Sequence, residues 1–204
     1  MNLIFNNQFS IFEDIFYVYL TPKQCIKLYS TNKILYNIYI INNRFEDYYF
    51  TPRSKEELEA AIDDWYNNRE EALIIYGDIG YWNIIYITDI SYLFHNKQEF
   101  NDDISDWNTS NTINMTNMFY IAEKFNQDIS NWNVNNVIYM TRMFGYSTIF
   151  NQNLNKWNIK NVKYLNNIFY NSINFDILNY KDWDLSNIKY KFNMFNVDLF
   201  IQKI

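Results

Sequence analysis

The chain has 204 residues, 17 Lys and Arg against 23 Asp and Glu, and a formal net charge of −6, with no dense basic stripe to neutralise phosphates; a nucleic-acid partner is not expected. One cysteine, Cys25, excludes an internal disulfide and fits a reducing compartment, and no apolar run reaches the length of a membrane span, so no membrane partner is expected either. Aromatic residues at 21% and only 3 glycines and 2 prolines point instead to one ring-rich packed domain, with room for a small module beside it.

The first fifty residues read as a helical module, 1–50. The opening MNLIFNNQFSIFEDIFYVYL has no basic leader and carries Glu13 and Asp14, so it does not read as a signal peptide, and the chain is expected to be intracellular and cytoplasmic, in the host cytoplasm if it is viral. Residues 9–43 divide into short helices. Thr21, Pro22 and Gln24 supply an N-cap, a proline at the first helical position and an acceptor at the third, and Asn32 caps a further helix. This order, an apolar helix, then YLTPK at 19–23, then TNKILYN at 31–37, resembles a degenerate F-box with Ser10-Ile11 where the usual Leu-Pro opening stands. The resemblance implies docking onto the adaptor of a cullin–RING ubiquitin ligase through Ile11, Ile15, Phe16, Leu20, Pro22 and Leu28. The same residues also read as a helical cap packed on the rest of the chain.

Residues 51–78 read as capping helices. Ser54-Lys-Glu-Glu57 is a capping box that starts a helix near Lys55, and Asn68-Arg-Glu-Glu71 starts another. They are expected to cover the open edge of residues 79–204.

Residues 79–204 repeat. Trp recurs at 82, 107, 132, 157 and 183, spacings of 25, 25, 25 and 26 residues; Phe recurs at 100, 125, 150 and 175. A third marker runs through Leu93-Phe94, Met118-Phe119, Met143-Phe144, Ile168-Phe169 and Met194-Phe195. Within one unit, Trp132 and Val134 are two apart, the strand period, while Val137, Met140, Met143 and Phe144 step by three, three and one, a helical or 3₁₀ stripe. Each unit is therefore expected to be a short strand, a turn and a short helix. The fold class is α/β: a leucine-rich-repeat-like solenoid of about five 25-residue coils with a small helical N-terminal module. Trp82, Trp107, Trp132, Trp157, Trp183, Phe119, Phe144 and Phe169 are its expected core. Phe200 falls 25 residues after Phe175, and Ile204 sits relative to it as Ile129 sits to Phe125, so the chain stops as another strand would begin.

Three segments, FNDDISDWNTSNTINMTNMF (100–119), FNQDISNWNVNNVIYMTRMF (125–144) and FNQNLNKWNIKNVKYLNNIF (150–169), resemble the BspA-like leucine-rich repeats of mycoplasma surface proteins. The resemblance covers about 54–204. It implies an array used for protein–protein contact, and no catalytic residues carry over. The surface-anchored members have a lipoprotein signal, whereas Cys25 lies in TPKQC with no apolar leader before it. The Asn-, Ile-, Tyr- and Lys-rich, Ala- and Arg-poor composition is what an A+T-rich genome imposes, as in a large DNA virus, a protist or a wall-less bacterium. Surface asparagines are therefore read as drift as readily as design.

No enzyme, metal or cofactor is expected. His95 stands alone, three glycines cannot build a phosphate loop, and Asp102, Asp103, Asp106 and Asp128 read as solvated turn residues. If each Trp and its second neighbour face inward, the flanking residues form a candidate partner-binding face: Tyr81, Asp106, Asn108, Asn131, Asn133, Lys156, Asn158, Lys160, Asp182 and Asp184. A second candidate is the helical side, where Tyr120, Tyr139, Tyr146, Tyr164 and Tyr170 lie. The leading functional expectation is a non-catalytic protein–protein interaction scaffold, and the alternative is an F-box-type substrate receptor. The partner is in either case a protein.

Overall fold

The computed structural model describes residues 50–195. The helices expected over 9–43, the adaptor-docking candidates and the last residues from 196 onward lie outside that range.

Helix α1, Lys55–Asn67, begins where the capping box places it. Ser54 Oγ accepts from the Glu57 amide at 3.2 Å. The return bond differs from the usual box: Glu57 Oε2 accepts from the Arg53 amide at 2.8 Å, one residue further back than the cap. Leu58, Ala61, Ile62 and Trp65 fall at steps of three, one and three, and all four are buried, so the buried face is the one the 3.6-residue period selects. Helix α2, Arg69–Tyr76, begins after Asn68 alone, which supplies no side-chain cap. It closes at Gly77, whose φ of 71° suits glycine and whose amide donates to the Leu73 carbonyl at 3.0 Å.

Beyond Trp82 each repeat lies against the next in one register. Single parallel bridges pair Asp89 with Asn114, Asn114 with Tyr139, Tyr139 with Tyr164, and Tyr164 with Tyr190. Alternate amides continue the pairing across each junction. Met140, Arg142, Phe144 and Tyr146 donate to the carbonyls of Tyr164, Asn166, Ile168 and Tyr170 at 2.8–2.9 Å, and Met115, Asn117, Phe119 and Ile121 do the same one repeat earlier.

This corrects the expected division of each unit into strand and helix. The stripe Val137, Met140, Met143 and Phe144 is buried but not helical, because its alternate amides bond to the next repeat and not four residues back. Its spacing of three comes from left-handed residues that turn the chain. Positive φ recurs at Tyr92, Asn117, Arg142, Asn167 and Asn193, and again at Asn96, Ile121, Tyr146 and Asn171. The Trp132–Val134 segment, in turn, forms no strand. The amides of Trp132 and Val137 close turns onto Ile129 and Val134, and the Asn135 amide donates to Asn133 Oδ1. Little main chain is left there to pair with a neighbour.

Five of the nine non-glycine residues at positive φ are asparagines. Asparagine tolerates the left-handed region better than other residues with a Cβ. Ile121, at φ 60°, is the β-branched exception between Asn96 and Tyr146 in its column. Ile121→Asn is expected to raise stability by about 1 kcal/mol, measured by denaturant unfolding; unchanged or lowered stability would mean that the partly buried isoleucine gains more from packing than it loses in backbone strain.

The interior is columns of rings. Phe94, Phe119, Phe144 and Phe169 stack at 5.4–5.7 Å between centroids, and Phe100, Phe125, Phe150 and Phe175 at 5.8–5.9 Å. The two columns meet face to face, Phe119 on Phe125 and Phe169 on Phe175 at 3.8 Å. Each buried ring contributes roughly 1.5–3 kcal/mol. The five repeat tryptophans are all buried, Trp183 being the most accessible at 7%. Each indole N–H of Trp107, Trp132, Trp157 and Trp183 donates to a carbonyl one repeat back: Ile79, Ile104, Ile129 and Leu154 at 2.8–3.0 Å.

Candidate functional site

The face flanking the tryptophans consists of exposed residues: Tyr81, Asp106, Asn108, Asn131, Asn133, Lys156, Asn158, Lys160, Asp182 and Asp184. Six of its ten side chains are hydrogen-bonded within the array. Asn108, Asn133, Asn158 and Asp184 each accept the amide two residues on, from Ser110, Asn135, Lys160 and Ser186. Lys156 Nζ donates to Asn131 Oδ1 at 3.2 Å. Just beyond, Asn111, Asn136 and Asn161 send Nδ2 to the carbonyls of Ile85, Ser110 and Asn135, each 26 residues back. On the opposite flank Asn101, Asn126 and Asn151 accept the amides of Asn126, Asn151 and Asp176. The surface asparagines thus form hydrogen-bonded ladders between repeats, a structural role that composition alone did not reveal.

The bridge column carries different chemistry. Its residues run Asp89, Asn114, Tyr139, Tyr164, Tyr190. The three tyrosine rings stack at 4.9 and 5.0 Å, and Tyr139 and Tyr190 keep 40% and 39% of their surface exposed. The column beside it runs Thr88, Ile113, Ile138, Lys163, Lys189, with Lys189 Nζ 5.3 Å from the Tyr190 ring centre. Tyr139 and Tyr164 were legible as periodic surface aromatics. Tyr190 was not singled out, although its offset of 26 is the same insertion that displaces Trp183. Tyr120, Tyr146 and Tyr170, the other aromatics of that side, form a separate row that begins on His95, with rings 5.5–5.7 Å apart.

Charge is divided along the stack. Residues 50–128 hold 5 Lys and Arg against 15 Asp and Glu, a balance of −10, while residues 129–195 hold 7 against 3, a balance of +4. The four ion pairs among the described residues all lie in the first part: Lys55 with Glu59 and with Asp89, Arg69 with Asp102, and Lys97 with Asp63. Arg69 grips Asp102 through both terminal nitrogens at 2.6 and 2.5 Å, and Trp65 Nε1 donates to the same carboxylate at 3.0 Å. The hydrogen bond to Asp102 holds the Arg69 guanidinium above its ordinary range. Asp102 is thus a clasp for α1 and α2, not a free carboxylate.

Asp103 and Asp128 are also engaged, each by the serine two residues on. Backbone and side-chain hydrogen bonds from Ser105 hold Asp103 below the usual carboxylate range, and those from Ser130 do the same for Asp128. Burial raises Asp89, but hydrogen bonds from Ser91 and Lys55 outweigh it and leave the group lowered. Burial and then the Asp64 carboxylate push the Tyr76 phenol up to about 12. Among the described residues no three His, Cys, Asp or Glu side chains converge as metal ligands, and His95 lies between the rings of Tyr92 and Tyr120. Among these residues no helix is long and apolar enough to cross a membrane.

These features define an array of in-register repeats with two aromatic rows at its surface, one of them on the bridge residues. Residues 60–178 and 140–204 match the family described as "Mycoplasma protein of unknown function, DUF285", and the chain belongs to that family. No curated protein and no solved structure matches the chain.

Proposed function

We propose that the chain is a non-catalytic protein-interaction scaffold, a leucine-rich-repeat-like solenoid of the BspA type that binds a protein partner on the Tyr139–Tyr164–Tyr190 column. The observation that carries this reading is that three stacked tyrosines stand partly exposed on bridge residues, each held in place by main-chain pairing on one side or both. Tyrosine offers a rigid amphipathic surface at low entropic cost, and interface hot spots are enriched in it. A column fixed by the backbone is organised before the partner arrives, which lowers the ordering cost of binding. The family membership and the BspA-like motifs support a repeat scaffold; the choice of face comes from the rings. The tryptophan-flanking face is the poorer surface because six of its ten side chains already hold hydrogen bonds within the array and Tyr81 is its one aromatic residue.

The test is selection from a displayed peptide library on the full chain and on Y139S/Y164S/Y190S. Peptides enriched on the first and lost on the second, with equal thermal unfolding of the two proteins, are the expected result. Enrichment that survives the triple substitution would move the binding surface elsewhere.

A further inference from the structure

The tyrosine column rises out of a cationic surface, and this assigns its occupant a charge. Between Ile129 and Phe175 the chain contains no Asp or Glu at all, and it places Arg142, Lys156, Lys160 and Lys163 there. Arg142 comes three residues after Tyr139, while Lys163 and Lys189 immediately precede Tyr164 and Tyr190. Lys189 lies over a ring of the column, and Lys163 Nζ reaches only a main-chain carbonyl, that of Asn187 at 3.5 Å. Among the described residues none of these three cations is ion-paired with a carboxylate, although the same structure pairs Lys55, Arg69 and Lys97 in its acidic part. In a chain of net charge −6 such a patch is not a by-product of composition.

We infer, building on the interaction reading above, that the column binds an extended acidic segment of a partner protein. Apolar side chains of the segment lie on Tyr139, Tyr164 and Tyr190, and its carboxylates meet Arg142, Lys163 and Lys189. The charge pairs steer the encounter and set the register, and the rings supply most of the contact. The acidic first part of the chain repels the same segment and limits it to the later repeats.

The experiment measures fluorescence anisotropy of labelled probes about ten residues long with the full chain. The probes are alternating Glu-Leu, Asn-Leu and Lys-Leu peptides, with an oligothymidylate of matched negative charge. The expected result is saturable binding of the Glu-Leu peptide, weakened by added salt, and at least about tenfold weaker in Y139S/Y164S/Y190S and in R142E/K163E/K189E. Both variants must unfold at the same temperature as the parent, and the charge-reversed one should now favour the Lys-Leu peptide. If the Asn-Leu or Lys-Leu peptide binds equally well and is lost with the tyrosines, the acidic occupant is overturned while the interaction reading stands. If no peptide binding depends on the tyrosines, both fall. Oligothymidylate bound as tightly as the Glu-Leu peptide, and lost in the same variants, would overturn the proposal in favour of a single-stranded nucleic acid.

Discussion

Trp132→Ala is expected to cost about 3–5 kcal/mol and to unfold the repeats in one transition. The indole is 4% exposed, its ring lies 6.2 Å from Phe119 and 6.5 Å from Trp107, and its N–H donates to the Ile104 carbonyl at 3.0 Å. Truncation therefore opens a cavity beside the phenylalanine columns and removes an inter-repeat hydrogen bond at once. The Ile104 carbonyl keeps the Trp107 amide at 3.2 Å, so it is not left without a donor, and the cavity dominates. Trp132→Phe separates the two contributions: it retains most of the ring and loses the N–H, for about 1 kcal/mol. The cooperative part comes from connectivity. Every repeat is stabilised by its neighbours, and a lesion in the middle weakens two junctions. Denaturant unfolding monitored by fluorescence and by far-ultraviolet circular dichroism should give coincident transitions shifted together. Separate transitions would show that the repeats on either side of Trp132 fold independently, and a loss below about 1 kcal/mol would contradict the central position of the indole.

What the sequence made legible was the period and the interior. Trp, Phe and Met-Phe are rare or bulky enough to stand out at intervals of 25, and the residues so marked are the buried columns. Local structure was less legible because two cues were ambiguous. A step of three usually means a helix, but in Met140-x-x-Met143 it comes from a turn with Arg142 in the left-handed region. That signal was present as asparagine at 117, 167 and 193 and at 96 and 171, matching positions of different repeats, but hidden in a composition where asparagine is everywhere. The same background concealed the N-x-N and D-x-S pairs, such as Asn133 with Asn135 and Asp128 with Ser130, whose spacing of two is that of a side-chain oxygen accepting the second amide on. Of the surface, Tyr139 and Tyr164 could be picked out by period. Their stacking with Tyr190, and the lysines beside them, needed the register of the last repeat, where one inserted residue shifts every marker from 25 to 26.

Asp102→Ala should loosen the two helices from the repeats and lower stability by about 2–3 kcal/mol, more than any other substitution of an ionic residue in the described chain. The carboxylate has 20% of its side chain exposed and is the meeting point of two elements: Trp65 Nε1 of α1 and the guanidinium of Arg69 at the start of α2. Removing it strands the N–H of a residue only 3% exposed, and a buried donor without a partner costs more than an average hydrogen bond contributes. Arg69→Ala is the informative contrast. Its side chain is 55% exposed, so the ion pair is screened and its loss should cost less than about 1 kcal/mol. Asp102→Asn, which can still accept from Trp65 but cannot hold the guanidinium as an ion pair, should fall between the two. The ordering of the three variants is the test, measured by denaturant unfolding together with the rate at which protease cuts the 67–70 junction. If Asp102→Ala costs no more than Arg69→Ala, the helices are held by apolar contact alone, through Leu58, Ile62 and the edge-to-face packing of Trp65 on Trp82 at 5.8 Å. If the predicted order holds, the first repeat's edge is closed by a polar clasp that a single carboxylate sets, and its removal exposes apolar surface at that end without disturbing the tyrosine column of the later repeats.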